Sequence, residues 1–143
     1  MKVYFKKLHQ LAKIPTQATV YAGGWDVTAT EINLVGDSYV VSLGFALQLP
    51  AGYRLMIQPR SSISKSSYVM QNSPGLGDPD FFGEYKMVFR NLGEKLKQFP
   101  YVVGDRVGQC YLEKIIPIEF EIVEELNRIG DRNDAGYGST GVL

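Results

Sequence analysis

The sequence predicts an all-β fold, a barrel or sandwich of short strands carrying one small helix. Three observations predict it. Fifteen glycines and seven prolines fall at short intervals along the 143 residues, as turns do between short strands. The stretches between them alternate: in Tyr85-Lys86-Met87-Val88-Phe89-Arg90 the larger apolar residues take every second place, and Ile118, Phe120 and Ile122 alternate with Glu119 and Glu121. No long apolar period of 3.6 residues runs anywhere in the chain.

Taken in order, Met1-Lys2-Val3-Tyr4-Phe5-Lys6-Lys7 alternates polar with apolar and lacks the apolar core of a secretory signal. Leu49-Pro50-Ala51-Gly52-Tyr53 reads as a turn leading into a strand over Arg54 to Gln58. Pro59-Arg60-Ser61-Ser62-Ile63-Ser64 ends that strand and opens the helix, predicted over Ser62 to Tyr68 with serines capping its first turn. Asn91-Leu92-Gly93 and Val103-Gly104-Asp105 are further turns, and Ile118 to Ile122 is predicted as a half-buried strand. No repeat and no interdomain linker is visible. The expected organisation is one domain over residues 1–127, followed by a polar, glycine-rich C-terminal flexible arm over 128–143.

Composition excludes several function classes. Fifteen Lys plus Arg balance fifteen Asp plus Glu, so the chain lacks the basic surface a nucleic-acid coat protein needs to displace counterions, and no stable nucleic-acid partner is expected. A balanced total leaves room for a small anionic ligand held by a few local groups. Cys110, the sole cysteine, cannot form an internal disulfide. No apolar run approaches the roughly 18 to 20 residues of a membrane span, so no membrane partner is expected. The expectation is a soluble cytoplasmic protein, in the host cell if the source is viral.

Four polar segments stand where turns alone would suffice. Ala22-Gly23-Gly24-Trp25-Asp26-Val27 puts an acid just after a glycine pair. Ser61 and Ser62, at a helix start with free N–H groups, are suited to an anion or to simple capping. Asn72-Ser73-Pro74-Gly75-Leu76-Gly77-Asp78-Pro79-Asp80-Phe81-Phe82-Gly83 holds Asp78 in a restricted backbone, where it can bond its own turn or position a water or metal. In the last, Arg132, Tyr137, Ser139 and Thr140 among glycines could fold over an anionic ligand that carries a ring. That segment is no Walker loop, because no Gly-Lys-Ser/Thr follows. His9 has no acid or cysteine beside it and reads as a structural or surface histidine; Cys110 reads as core rather than nucleophile.

In this order the segments resemble the five motifs of the trimeric dUTP diphosphatases, the dUTPase family. The resemblance runs from Lys7-Leu8-His9 and Ala12-Lys13-Ile14-Pro15 through Gly24-Trp25-Asp26-Val27, Pro59 to Ser62 and Asn72 to Gly83. It closes with Gly104-Asp105-Arg106-Val107-Gly108-Gln109 and Gly136-Tyr137-Gly138-Ser139-Thr140-Gly141. It implies a jelly-roll-like β-barrel protomer of the β-clip kind, assembled as a homotrimer with three sites between subunits. The implied reaction is hydrolysis of dUTP to dUMP and pyrophosphate with Mg²⁺, which is held through substrate phosphates and waters with no direct protein ligand. The family's role is to limit uracil in DNA and supply dUMP for thymidylate.

Carried over by position, Asp78 matches the carboxylate that orients and deprotonates the attacking water. Ser61, beside Ser62, matches the serine on the α and β phosphates, Arg60 the arginine that braces Asp26, and Gln109 the glutamine on the phosphate side. Asn72 and the main chain through Gly75, Leu76, Gly77 and Asp78 match the hairpin that reads uracil and leaves no room for a 5-methyl group; Phe81 matches the ring that packs on the deoxyribose. Arg132, Tyr137, Ser139 and Thr140 match the arm that closes over a neighbouring subunit's site; spacing to Gly136 favours Arg132 over Arg128 for the γ phosphate.

Three positions depart from the family pattern. Gly77 replaces a branched apolar residue, which is expected to loosen the hairpin beside Asp78; Phe81 replaces a tyrosine; and Arg132-Asn133-Asp134-Ala135 is less glycine-rich than the usual arm. Two alternatives are carried alongside. One is a dCTP deaminase of the same fold, whose proton-shuttle glutamate would fall at Val88. The other is a non-catalytic dUTP-binding or regulatory protein.

Overall fold

The computed structural model describes residues 1–93, 98–127 and 129–130. Within them the regular structure is nearly all strand, in the order β1 (Tyr4–Lys7), β2 (Trp25–Thr28), β3 (Glu31–Val35), β4 (Ser38–Ser42), β5 (Phe45–Gln48) and β6 (Tyr53–Pro59). A 3-10 helix, η1 (Ser61–Lys65), is followed by β7 (Tyr68–Met70), β8 (Gly75–Gly77), β9 (Lys86–Asn91) and β10 (Arg106–Lys114). The strands form two four-stranded sheets, β2-β10-β6-β8 and β3-β4-β9-β7, and a smaller pair, β1-β5. Every strand pairing is antiparallel. The result is a jelly-roll-like sandwich, as the alternation of short strands and turns predicts.

The core lies between the two larger sheets. Val27, Leu55, Ile57, Val107 and Cys110 of one sheet face Val41, Tyr68, Met70, Met87 and Phe89 of the other, and Phe45, Leu43 and Phe99 fill the ends. On β9 the alternation is legible directly: Met87 and Phe89 are fully buried while Lys86 and Arg90 are exposed. Aromatic packing stiffens one end, where Tyr39 stacks on Phe99 at 4.4 Å between ring centroids and Tyr68 meets Phe99 edge-on at 5.1 Å. The turn at residues 49–53 is closed by the Tyr53 N–H donating to the Pro50 carbonyl, 3.2 Å. The Leu11 N–H donates to His9 Nδ1 at 3.1 Å, a local structural use of that ring.

Two expectations are corrected. The helix is a single 3-10 segment that begins one residue earlier and ends at Lys65, because Tyr68 is drawn into β7 and buried against Tyr39 and Phe99. No side chain caps its start; Ser64 Oγ donates backward to the Ser61 carbonyl and Ser66 Oγ, just past the helix, to the Ile63 carbonyl. The second correction concerns Ile118 to Ile122, which forms no strand. Its apolar residues stand in solvent, Phe120 at 87% and Ile122 at 101% exposure, because among the described residues no strand pairs with it. Among the described residues no helix is long and apolar enough to cross a membrane.

Burial pushes the Cys110 thiol up to about 12. Its folded value lies above the unfolded one, so the stability it contributes is complete below the ordinary thiol range and is lost as pH rises through that folded value. The native protein at about pH 8 should therefore react with a thiol reagent ~10³-fold more slowly than the urea-unfolded chain, with reactivity recovered on unfolding.

Candidate active site

β10 pairs with β2 on one side and β6 on the other, in a register that sets Gln109 opposite both Asp26 and Gln58 and Gly108 opposite Pro59. The end of β6 is thereby carried to the side of Asp26. Asp26 is 3% exposed, on a strand whose main chain is also tied to Thr16. A carboxylate so removed from water needs compensating donors, and it has three. Arg106 Nη1 donates to Oδ2 at 2.8 Å, Gln109 Nε2 donates to Oδ1 at 3.1 Å, and Arg60 Nε forms an ion pair with Oδ1 at 3.4 Å. Both guanidinium side chains keep a solvent-facing part, so each retains donors for an anion. Ser61 and Ser62 follow directly on the exposed start of η1, with Ser62 Oγ 3.3 Å from Tyr101 Oη.

A second group surrounds a cavity of about 490 Å³, within the usual range for a small-molecule site. Ile57, Asn72, Gly75, Leu76, Asp78, Phe81 and Tyr85 are among its walls. β8 lies against β6 with Gly75 opposite Ile57 and Gly77 opposite Leu55, which brings the hairpin's main chain to the cavity. The chain then turns over Asp78-Pro79-Asp80-Phe81, closed by the Phe81 N–H on the Asp78 carbonyl at 3.1 Å. Proline at the second place of such a turn sets φ in advance, and it leaves the Asp78 side chain exposed at the cavity edge.

Asn72 holds the base of this hairpin: its Oδ1 accepts from the Val88 N–H at 2.9 Å and its Nδ2 donates to the Lys86 carbonyl at 3.1 Å. Gly77 faces the core, where it meets the ring of Tyr85. Burial first, and then the Asp78 charge and Cys110, push the Tyr85 phenol up to about 12, so it is neutral wherever the protein is folded at ordinary pH.

The candidate residues thus fall into two groups within one chain. Arg60, Ser61, Ser62 and Gln109 gather around or beside Asp26, and none of them lines the cavity of Asp78 and Phe81. Arg128, Arg132, Tyr137, Ser139 and Thr140, with the boundary drawn at 127/128, lie outside the described residues.

Sequence reasoning gave no role to Arg106, though an acid inside the apolar β2 signals a need for more than one cation. It also missed Glu84, whose Oε1 accepts from the Gly44 N–H at 3.0 Å and whose Oε2 pairs with Lys86 at 3.3 Å, anchoring the far end of the hairpin. Nothing in its sequence surroundings marks that contact. The alternation around Tyr85 marks it only as a strand residue.

An antiparallel sandwich with a turn-borne carboxylate at a nucleoside-sized cavity, and an arginine-serine strand end elsewhere, has the equipment of a nucleotide-binding protein. Comparison with known proteins narrows this. The dUTPase family model matches residues 10–141. The deoxyuridine 5'-triphosphate nucleotidohydrolase of Helicobacter pylori is 37% identical over 99% of this chain and 98% of its own length. Among solved structures, the dUTPase of Staphylococcus bacteriophage 80alpha with dUpNHpp has a TM-score of 0.82 at 21% identity, covering 99% of both chains. That of phage phi11 of S. aureus, which coordinates a structural Mg(II) ion, has a TM-score of 0.73 at 19% identity over 87% of this chain and 98% of its own. The chain belongs to the dUTPase family, as the order of its motifs implies, and is an enzyme of that family.

Replacing Asp26 with asparagine leaves two cations without the buried carboxylate they share. Because both guanidiniums are partly solvated, the expected loss lies at the low end of the usual range for a broken buried pair, about 3 kcal/mol in urea unfolding. An unchanged midpoint would show that the carboxylate does not organise these strand ends.

Proposed function

We propose that this enzyme hydrolyses dUTP to dUMP and pyrophosphate by in-line attack of water on the α phosphorus, in the cytoplasm where nucleotide pools feed DNA synthesis. The observation that carries the reading is Asp78, held exposed by a proline turn at the edge of a cavity of about 490 Å³ that Phe81 and the hairpin main chain also line. Asp78 takes the proton of the attacking water; the new P–O bond forms as the bond from the α phosphorus to the pyrophosphate oxygen breaks. The main chain from Gly75 to Asp78 reads uracil edges, and Phe81 packs on the deoxyribose. Arg60, Ser61, Ser62 and Gln109 hold phosphate oxygens, with Asp26 fixing Arg60 and Gln109 in place. Arg132 of the arm meets the γ phosphate, with Ser139 and Thr140 beside it, and Tyr137 stacks on the base.

Among the described residues no group of three or more His, Cys, Asp or Glu side chains could cage a metal. Mg²⁺ would come with the triphosphate itself, since this ion keeps several waters and binds substrate phosphates readily. Bound so, Mg²⁺ would neutralise charge on the leaving pyrophosphate.

We further propose a homotrimer in which phosphate groups, hairpin and arm come from different subunits. The separation of the Asp26 group from the Asp78 cavity within one chain supports this. So does the apolar alternation left exposed over Ile118 to Ile122. Val88, which spends its N–H on Asn72 and offers no carboxylate, speaks against the deaminase alternative.

Pyrophosphate release measured over dUTP, dTTP, dCTP and UTP, with and without Mg²⁺, should be confined to dUTP with Mg²⁺; ammonia from dCTP would overturn the reading. Asp78→Asn should lower kcat by ~10²- to 10⁴-fold while a non-hydrolysable dUTP analogue still binds. Truncation after Asn127 should preserve the trimer in sedimentation and lose turnover, and full activity in the truncated chain would remove the arm from the mechanism.

A further inference from the structure

Gly77 is expected to loosen the hairpin beside Asp78, and the structure supplies what fills its place. A Cβ at Gly77 would fall 2.5 Å from Tyr85 Cε1 and 2.9 Å from Tyr85 Oη, so the tyrosine ring occupies the volume a side chain would need. The ring cannot slide away. Tyr85 is 5% exposed, its N–H donates to the Phe45 carbonyl at 3.2 Å, and its carbonyl accepts from the Leu43 N–H at 3.1 Å. Its ring lies 5.8 Å from that of Phe45 on the core side.

On the cavity side the same ring meets Phe81 edge-on, with centroids 5.2 Å apart and planes at 73°. Phe81 is held from another direction by the main chain of Gly83, where a Cβ would fall 2.7 Å from Phe81 Cζ. Phe81 is thus fixed between a ring that exists there because residue 77 has no side chain and a backbone that approaches because residue 83 has none. It nevertheless stands 42% exposed and lines the cavity. Tyr85 Oη is, among the described residues, the buried side-chain polar atom left with no hydrogen-bond partner. Such an atom opposes folding, so hydrogen bonding does not explain the residue; its ring and length do.

We propose that Tyr85 is a positioning residue for sugar selection: through the slot opened by Gly77, its ring sets where Phe81 stands, and that position decides whether a nucleotide with a 2'-hydroxyl fits. This rests on the reading of Phe81 as the wall against the deoxyribose. The Gly77 and Tyr85 pair replaces one filled volume by another, a branched side chain on the hairpin by a ring reaching up from the start of β9.

The test is the ratio of kcat/KM for dUTP to that for UTP. Tyr85→Val should lower this ratio about tenfold, the scale of a lost packing contact in a selectivity pocket, with kcat on dUTP changed less than KM. Gly77→Ala, which pushes the ring aside without emptying the core, should lower it in the same direction and serves if the valine variant does not fold. Tyr85→Phe should keep the ratio within about twofold and raise the melting temperature by removing the unpartnered hydroxyl. A folded Tyr85→Val or Gly77→Ala variant with an unchanged ratio, alongside a Phe81→Ala variant that loses it, would overturn the relay alone. A Phe81→Ala variant with an unchanged ratio would overturn both the relay and the sugar-wall reading. Loss of selectivity in Tyr85→Phe equal to that in Tyr85→Val would overturn the assignment to the ring.

Discussion

The carboxylate of Asp26 is enclosed in the sandwich and needs donors brought to it, and they come from two strands distant from it in sequence. Arg60 arrives at the end of β6, while Arg106 and Gln109 come from two places on β10 with an irregular register against β2 between them. Satisfying one buried charge therefore fixes the relative placement of three strand ends. Two guanidiniums on one carboxylate leave a local excess of positive charge, and both stay partly in solvent. The fold thus produces an anion-attracting strand end as a by-product of satisfying the buried Asp26 carboxylate. Ser61 and Ser62 are placed there because they follow Arg60 in the chain.

The hairpin between β7 and β9 obeys another constraint, since a loop that carries Asp78 must be held stiffly without being buried. Asn72 clamps its entry to β9, Pro79 presets its turn, and Glu84 ties its exit to the backbone at Gly44. Between these anchors the main chain of Gly75 to Gly77 runs beside β6. With Asn72 engaged by β9, the cavity wall of the hairpin rests on backbone groups, whose donors and acceptors do not rotate. An arrangement of this kind can discriminate by shape and by hydrogen bonds at fixed positions, which is what a site that rejects close nucleotide analogues requires.

The fold class was legible because short-strand alternation and turn chemistry are local signals: Met87 and Phe89 point inward and Lys86 and Arg90 outward, as their spacing predicts. The extent of η1 was not, since Tyr68 follows serines that suit a helix and is claimed by β7 through ring contacts with Tyr39 and Phe99, distant in sequence. The Arg60 and Asp26 pairing came through the family resemblance, whereas the part of Arg106 emerged only from the register of β10. Gly77 shows the limit most directly. Read along the chain it is a weakened hairpin, and only the tertiary contact with Tyr85, eight residues on, shows the space to be filled.

The alternation over Ile118 to Ile122 leaves a row of apolar side chains that no strand pairing uses among the described residues. Its apolar residues stand in water, beside a sandwich that also leaves an apolar hollow of about 360 Å³ lined by Phe5, Trp25, Leu47 and Leu112. Exposed apolar surface on this scale is costly for a lone protomer and is the ordinary mark of association. The proposed chemistry has the same gap, because the residues gathered on Asp26 do not line the Asp78 cavity within one copy. Under the proposed assembly both deficits are met by the same event, since subunits that cover one another's apolar segments also bring one chain's arginines toward another's hairpin. The balanced charge of fifteen against fifteen then becomes intelligible. Three near-neutral protomers can meet without mutual repulsion, and the positive charge a triphosphate needs is supplied locally, at Asp26's surplus of arginine.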